Sequence, residues 1–253
     1  MVTVKPNLEF QIPNPFSTSF IAPTQVRYRF NHGVSGTNPQ TIDMHLEGLL
    51  ATLKKTRRGV ILGPHGTGKS TLLHTFLPKL QQCYPMVAFD QINNDPSVGW
   101  IGRVKERLRA GQRILKELAG LPRDGLLIVD GWEQLYRVSR LRAIRAAAAK
   151  KLTLLATSHQ RMTGWTTIHE TKATQKMVQS LAGDLLEDTP YELRKMVDSH
   201  LKKCRVTPKT NVRDLWFEMY DLIEDAQTDP VNQTTLPNST ATGPSTRSDR
   251  LAH

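Results

Sequence analysis

The stretch Gly59-Val60-Ile61-Leu62-Gly63-Pro64-His65-Gly66-Thr67-Gly68-Lys69-Ser70-Thr71-Leu72-Leu73 decides the reading of this chain. Four residues, 59–62, form a short buried strand. Three glycines follow within six positions, then Lys-Ser and an apolar helical pattern. The pattern is Gly, four residues, Gly-Lys-Ser, and its chemistry is that of a phosphate cradle. The glycines let backbone N–H groups turn inward and approach phosphate oxygens. A helix opening near Lys69 aims its positive end at the same charge. Lys69 is placed to reach the β- and γ-phosphates, and the Ser70 hydroxyl to hold Mg²⁺. Gly63, Pro64, His65, Gly66, Thr67, Gly68, Lys69, Ser70 and Thr71 are the expected nucleotide-binding residues.

Working outward, the chain alternates strands and helices. Apolar runs at 86–89, 126–129 and 152–156 read as strands, and 165–169 as a fifth. Helical patterns lie between them at 70–80, 102–119 and 138–151. Apolar strands alternating with helices predict a parallel sheet covered on both faces. The expected fold is therefore a three-layer α/β/α P-loop domain, with a mostly parallel sheet and a C-terminal helical extension. Upstream, a helix is expected over 41–55. Residues 1–40 read as an irregular arm, because Pro6, Pro13, Pro15, Pro23 and Pro39 interrupt every possible helix, with one short strand at 26–30. After Glu170 three helices are expected. The second opens with Thr189 as cap and Pro190 as first helical residue. The expected units are an arm at 1–40, a nucleotide-binding core at 41–172, a helical extension at 173–227 and a disordered tail at 228–253, whose composition cannot offset chain entropy.

Leu126-Leu127-Ile128-Val129-Asp130 ends an apolar strand in a carboxylate sixty positions beyond Ser70. Asp130 is expected to share the Mg²⁺ with Ser70. Hydrolysis needs a group that orients or deprotonates water. The usual place, directly after that Asp, is held by Gly131. Glu133 is the nearest carboxylate; it serves either that role or the dipole of the next helix. The tip of the 152–156 strand delivers Thr157, Ser158 or His159 toward the γ-phosphate. His159 reads as a phosphate sensor or as a plain loop histidine. Lys69, Glu133 and His159 are the catalytic candidates.

Residues 63–73 resemble the Walker A motif of the ABC and AAA-type ATPases of the P-loop superfamily, and residues 126–130 have the Walker B form. Thr157-Ser158-His159 is similar to the switch-histidine region of the former class and the sensor position of the latter. The resemblance covers roughly residues 57–170. It implies a sheet in which the fourth strand lies in the middle, beside the first. Residues 118–125 do not match an ABC signature, so the superfamily is named and not the transporter family. No Asn-Lys-x-Asp motif is present, which favours ATP over GTP.

The net charge is +11, which permits nucleic acid, an anionic surface or an acidic partner. Arg137, Arg140, Arg142, Arg145, Lys150, Lys151 and Arg161 form a run without an acidic residue. That run reads as a phosphate-binding face, a source of an arginine finger, or a solvated surface. A second run, from Arg103 to Lys116, is relieved by Glu106 and Glu117. Aromatic residues are 6% of the chain and are not interleaved with these charges. No apolar stretch reaches the about 18 residues a membrane helix needs, and no secretory signal opens the sequence. Cys83 and Cys204 read as free thiols in a reducing compartment, and the expected location is the cytoplasm. The expected function is a Mg²⁺-dependent ATPase acting on a protein partner or nucleic acid. A P-loop kinase and a slow nucleotide-dependent switch are the alternatives, and the oligomeric state stays open.

Overall fold

The computed structural model describes residues 13–30, 39–92 and 99–228. The elements run α1 (Thr18–Ile21), α2 (Pro39–Thr56), β1 (Arg58–Leu62), α3 (Lys69–Cys83), β2 (Val87–Gln91), α4 (Trp100–Gly120) and β3 (Leu126–Asp130). A 3₁₀ turn (Trp132–Gln134) leads to α5 (Arg137–Ala149), β4 (Thr153–Ser158), β5 (Thr166–Glu170), α6 (Gln175–Leu185), α7 (Tyr191–Lys203) and α8 (Val212–Thr228).

All five strands lie in one sheet, ordered β2-β3-β4-β1-β5, and every pairing is parallel. β4 sits between β3 and β1, the order that the resemblance implies. The inner strands β3 and β4 are buried throughout, which is why their sequences are nearly continuous apolar runs. The edge strands β2 and β5 are partly exposed and more polar.

Strand alternation splits the core into two layers. Leu126, Ile128 and Leu155 face one side, with Leu53 of α2 and Leu72, Leu73 and Phe76 of α3. Leu127, Val129, Leu154 and Ala156 face the other, with Ile114 and Leu118 of α4 and Ala143 and Ala147 of α5. A three-layer α/β/α sandwich results. A third cluster joins α6, α7 and α8 through Val178, Val197, Leu215 and Met219, and Phe16 of the arm closes it.

Four local expectations are corrected. Residues 27–30 are not a strand. The edges of β1 are taken by β4 and β5, so the arm crosses α3 instead, and the Tyr28 amide donates to Thr75 Oγ1 at 2.9 Å. The prolines do not exclude helix from the arm, because the single turn α1 fits between Pro15 and Pro23. Pro190 is the cap of α7 rather than its first helical residue, and no side chain caps that end. Thr228, the first residue of the expected tail, is still helical; residues 229–253 lie outside the described ones. Among the described residues no helix is long and apolar enough to cross a membrane.

Candidate functional site

The loop expected to cradle phosphate, residues 63–68, joins β1 to α3. Its entry is pinned where the Gly63 amide donates to the Ser158 carbonyl (3.2 Å) and the Thr171 amide to the Leu62 carbonyl (2.8 Å). The Thr67 hydroxyl donates to the Pro64 carbonyl at 2.9 Å and lies 2.7 Å from Thr171 Oγ1. Gly66 adopts φ +68°, and a Cβ there would fall 1.6 Å from Asn211 Oδ1. Both the backbone and the space therefore demand glycine.

Lys69 is buried, and its ammonium donates to the Gly63 and Pro64 carbonyls, each at 2.7 Å. Burial pulls its pKa down to about 8, against the opposing pull of the Glu133 and Asp130 charges. Lys69 thus folds back onto its own loop.

Asp130 is also buried. Ser70 Oγ donates to its Oδ2 at 2.6 Å, and Thr157 Oγ1 donates to its Oδ1 at 2.6 Å. Thr157 in turn accepts from the Gly131 amide at 2.8 Å. A serine hydroxyl in contact with a carboxylate is a hard-oxygen donor pair, which suits Mg²⁺. The residues present therefore fit the ion.

The structure explains why a carboxylate is missing directly after Asp130. Gly131 has φ +91°, and a Cβ there would lie 2.9 Å from the Ile92 carbonyl oxygen. No glutamate fits that position without strain. The acidic group is displaced to Glu133, in the 3₁₀ turn. Its Oε1 lies 3.0 Å from His159 Nε2. Its Oε2 is buried and has no hydrogen-bond partner.

His159 joins the two halves. Its Nδ1 lies 3.2 Å from Lys69 Nζ and 3.0 Å from the Gly63 carbonyl. Burial, then the Lys69 charge, hold its pKa below the usual histidine value. A neutral ring with the proton on Nε2 accepts at Nδ1 from Lys69 and donates from Nε2 to Glu133, while the Gly63 carbonyl takes its hydrogen bond from Lys69. The His65 ring packs against it at 3.6 Å between centroids.

Of the three alternatives at the strand tip, one faces the cavity. Thr157 is committed to Asp130, and the Ser158 hydroxyl donates to the Gln160 carbonyl at 2.8 Å. His159 alone of the three lines the cavity of about 630 Å³ beside the loop. Glu133, Arg140, Lys209 and Asn211 line it as well.

Arg140 was legible only as part of a basic run. Its guanidinium donates to the Leu135 carbonyl (2.8 Å) and the Glu133 carbonyl (3.2 Å), fastening the turn that carries Glu133. Lys150, from the same run, donates to the carbonyls of Leu118, Ala119 and Leu121 and caps α4. Arg137, Arg142 and Arg145 remain exposed. Lys209 and Asn211 carry no signal of a site in sequence. Asn211 reads as the residue before α8, where its Oδ1 accepts from the Arg213 amide at 3.2 Å.

A second cavity, of about 410 Å³, opens between the arm and α6 and α8, lined by Tyr28, Arg29, Leu181, Asp184 and Trp216 among others. Tyr28 brings it to the loop, because a Cβ on Gly68 would lie 3.3 Å from the Tyr28 ring. The Tyr28 hydroxyl lies 2.9 Å from His169 Nε2, and Arg29 pairs with Asp184.

No protein-family model matches this chain, and no curated protein matches it. Solved structures resemble it in fold. A structure described as a DNA replication initiation factor aligns over 81% of this chain and 66% of its own, with 16% identity and a TM-score of 0.49. The replication initiator DnaA, solved with AMPPCP and single-stranded DNA, aligns over 75% and 62%, with 15% identity and a TM-score of 0.45. A variant of RuvB from Thermotoga maritima aligns over 76% and 65%, with 16% identity and a TM-score of 0.47. The chain thus spans between 62% and 66% of the lengths of these three. At these scores the likeness carries nothing about substrate or partner. The sheet order, with β4 between β3 and β1, is the one that the resemblance to the additional-strand P-loop class implies.

Proposed function

We propose that this protein is a Mg²⁺-dependent ATPase whose hydrolysis drives a conformational change in a partner or a nucleic acid. The observation that carries the reading is Glu133. One carboxylate oxygen is held by His159 and the other is buried without a hydrogen-bond partner, and the residue lines the cavity beside Pro64 and His159. A buried acceptor with a spare lone pair is what a water-activating base requires.

In this reading the loop amides and Lys69 bind the phosphates, and Ser70 and Asp130 hold Mg²⁺, which neutralises phosphate charge. Glu133 accepts the proton of the attacking water. Arg140 fixes the turn that carries Glu133. The base and ribose take the second cavity, since Tyr28 ties it to the α3 end of the loop, away from Glu133.

One contact favours slow basal turnover. His159 engages Lys69 and Glu133 together. Both groups are thereby held by each other's side of the site until a phosphate draws Lys69 away. The α8 end feels the same event, because Asn211 packs against Gly66. That contact is a route by which the loop reaches the C-terminal helices.

A nucleic-acid partner is supported by the exposed Arg137, Arg142 and Arg145 of α5. The second basic run supports it too: Arg103, Lys105 and Arg109 are exposed on α4. Arg103 lies one turn from Trp100, which is 71% exposed, so that pair offers a stacking plane and a phosphate contact together.

The test is phosphate release from Mg·ATP by the purified protein, with and without added DNA or RNA. Stimulation by nucleic acid supports the coupled ATPase. Slow turnover without stimulation shifts the reading to a switch or a protein-activated enzyme. ADP formation that depends on an added acceptor replaces it with a kinase.

A further inference from the structure

The C-terminal helices carry a second cluster of chemistry far from the phosphate loop in sequence. α7 ends at Lys203, and Cys204 caps it, its amide donating to the His200 carbonyl at 3.1 Å. Residues four apart on a helix share one face, so His200 and Cys204 look the same way. They look at α8. Val197 and Leu201 of α7 pack in one core with Leu215 and Met219 of α8. Glu218 stands next to Met219 at the rim of that core, with its Oε2 3.8 Å from His200 Nε2. One donor atom from each of His200, Cys204 and Glu218 lies within 4.8 Å of the other two. Among the described residues no other group of three His, Cys, Asp or Glu side chains converges in this way.

We propose that His200, Cys204 and Glu218 bind one divalent transition-metal ion of borderline softness, zinc or its like, and so staple α7 to α8. The donor set is an imidazole nitrogen, a thiolate sulfur and a carboxylate oxygen, each an ordinary zinc ligand. Metal–ligand bonds of about 2.0 Å to N and O and 2.3 Å to S place tetrahedral donors roughly 3.3–3.5 Å apart. The donors, all within 4.8 Å of one another, must draw in by up to about 1.5 Å to meet an ion. His200 and Cys204 are half-buried and Glu218 is exposed, so an ion has a path in from solvent and a fourth position for water. Lys202 is exposed and falls about 200° round the helix from His200, off the ligand face. Mg²⁺ is a poor competitor, because it prefers an all-oxygen shell. This site is separate from the proposed ATPase chemistry and stands or falls without it.

The test is a cobalt(II) titration of the reduced, full-length protein, followed in the near ultraviolet, where a thiolate ligand gives a sulfur-to-metal charge-transfer band. The expected result is a band that saturates at one equivalent, is abolished by zinc(II), survives Cys83→Ser and is lost in Cys204→Ser. Zinc should raise the melting temperature of the wild type and leave that of Cys204→Ser unmoved. His200→Gln and Glu218→Gln should each weaken cobalt binding by at least the roughly 10- to 100-fold that losing an outer-shell partner costs. Far-ultraviolet circular dichroism checks that Cys204→Ser is folded; should it not fold, Glu218→Gln, a change at a largely exposed side chain, decides alone. Absence of a saturable band overturns the proposal. So does a band that depends on Cys83 rather than Cys204, or an affinity unchanged in Glu218→Gln.

Discussion

The two halves of the candidate phosphate site are built in opposite ways. The cradle is one unbroken stretch, residues 63–70, shaped by local rules: glycines for the turn, a helix start for the field, a lysine for the charge. The acidic half is gathered from scattered places. Asp130 ends β3, Glu133 sits in a 3₁₀ turn, Arg140 on α5, Thr157 on β4 and His159 just past it. The first half is a property of a segment, and the second is a property of a sheet order. Only because β4 lies between β3 and β1 does His159 reach Lys69 on one side and Glu133 on the other.

The sharpest way to break this comparison is at the cradle. Lys69→Ala should abolish Mg·ATP binding or turnover, measured by nucleotide titration and phosphate release; full retention of both would end the P-loop reading. The acidic half should fail differently. In Glu133→Gln, nucleotide affinity should hold while turnover falls roughly 10²- to 10⁴-fold, the range for loss of a positioned base. Unchanged turnover would remove Glu133 from the chemistry.

Third comes the contact between the loop and α8. Gly66→Ala puts a Cβ into Asn211 at a positive φ, so it should lower stability by about 1–3 kcal/mol. Thermal melting reads that loss, and a pairing with Asn211→Ala should recover the part owed to the clash.

A smaller effect is pH dependence. The free-site Lys69 pKa of about 8 lies below its ordinary 10.5, and a bound phosphate should raise it again. Binding therefore takes up a proton above about pH 8, and affinity should fall by up to about tenfold per pH unit there. Calorimetry in buffers of different ionisation enthalpy measures that proton. By the same sign, the nucleotide-free protein gains stability from Lys69 as pH rises from about 8 through its unfolded value. Smallest is Lys150→Ala, which uncaps α4 and should cost about 0.3–1 kcal/mol with turnover unaffected; a change in turnover would show that α4 reports to the site.

Legibility followed the same division. The inner strands were readable because residues buried on both faces leave long apolar runs, as in Leu126–Asp130. The arm was misread at 26–30, where apolar alternation at Tyr28 and Phe30 fits a strand. The pattern records burial of alternate residues and is silent on whether a free sheet edge exists to pair with. Arg140 and Lys150 looked alike in a basic run, yet one holds the Glu133 turn and the other caps a helix.

By itself the sequence determined the phosphate cradle, the alternation of strands and helices and the carboxylate at the end of β3. These rest on interactions between residues near each other along the chain. Tertiary structure decided the rest: which strand-tip residue meets Lys69, why Gly131 cannot be a glutamate, and that Asn211 closes on Gly66. Each of those depends on atoms brought together from elements far apart in the chain. Such contacts leave no spacing or period for a sequence to display.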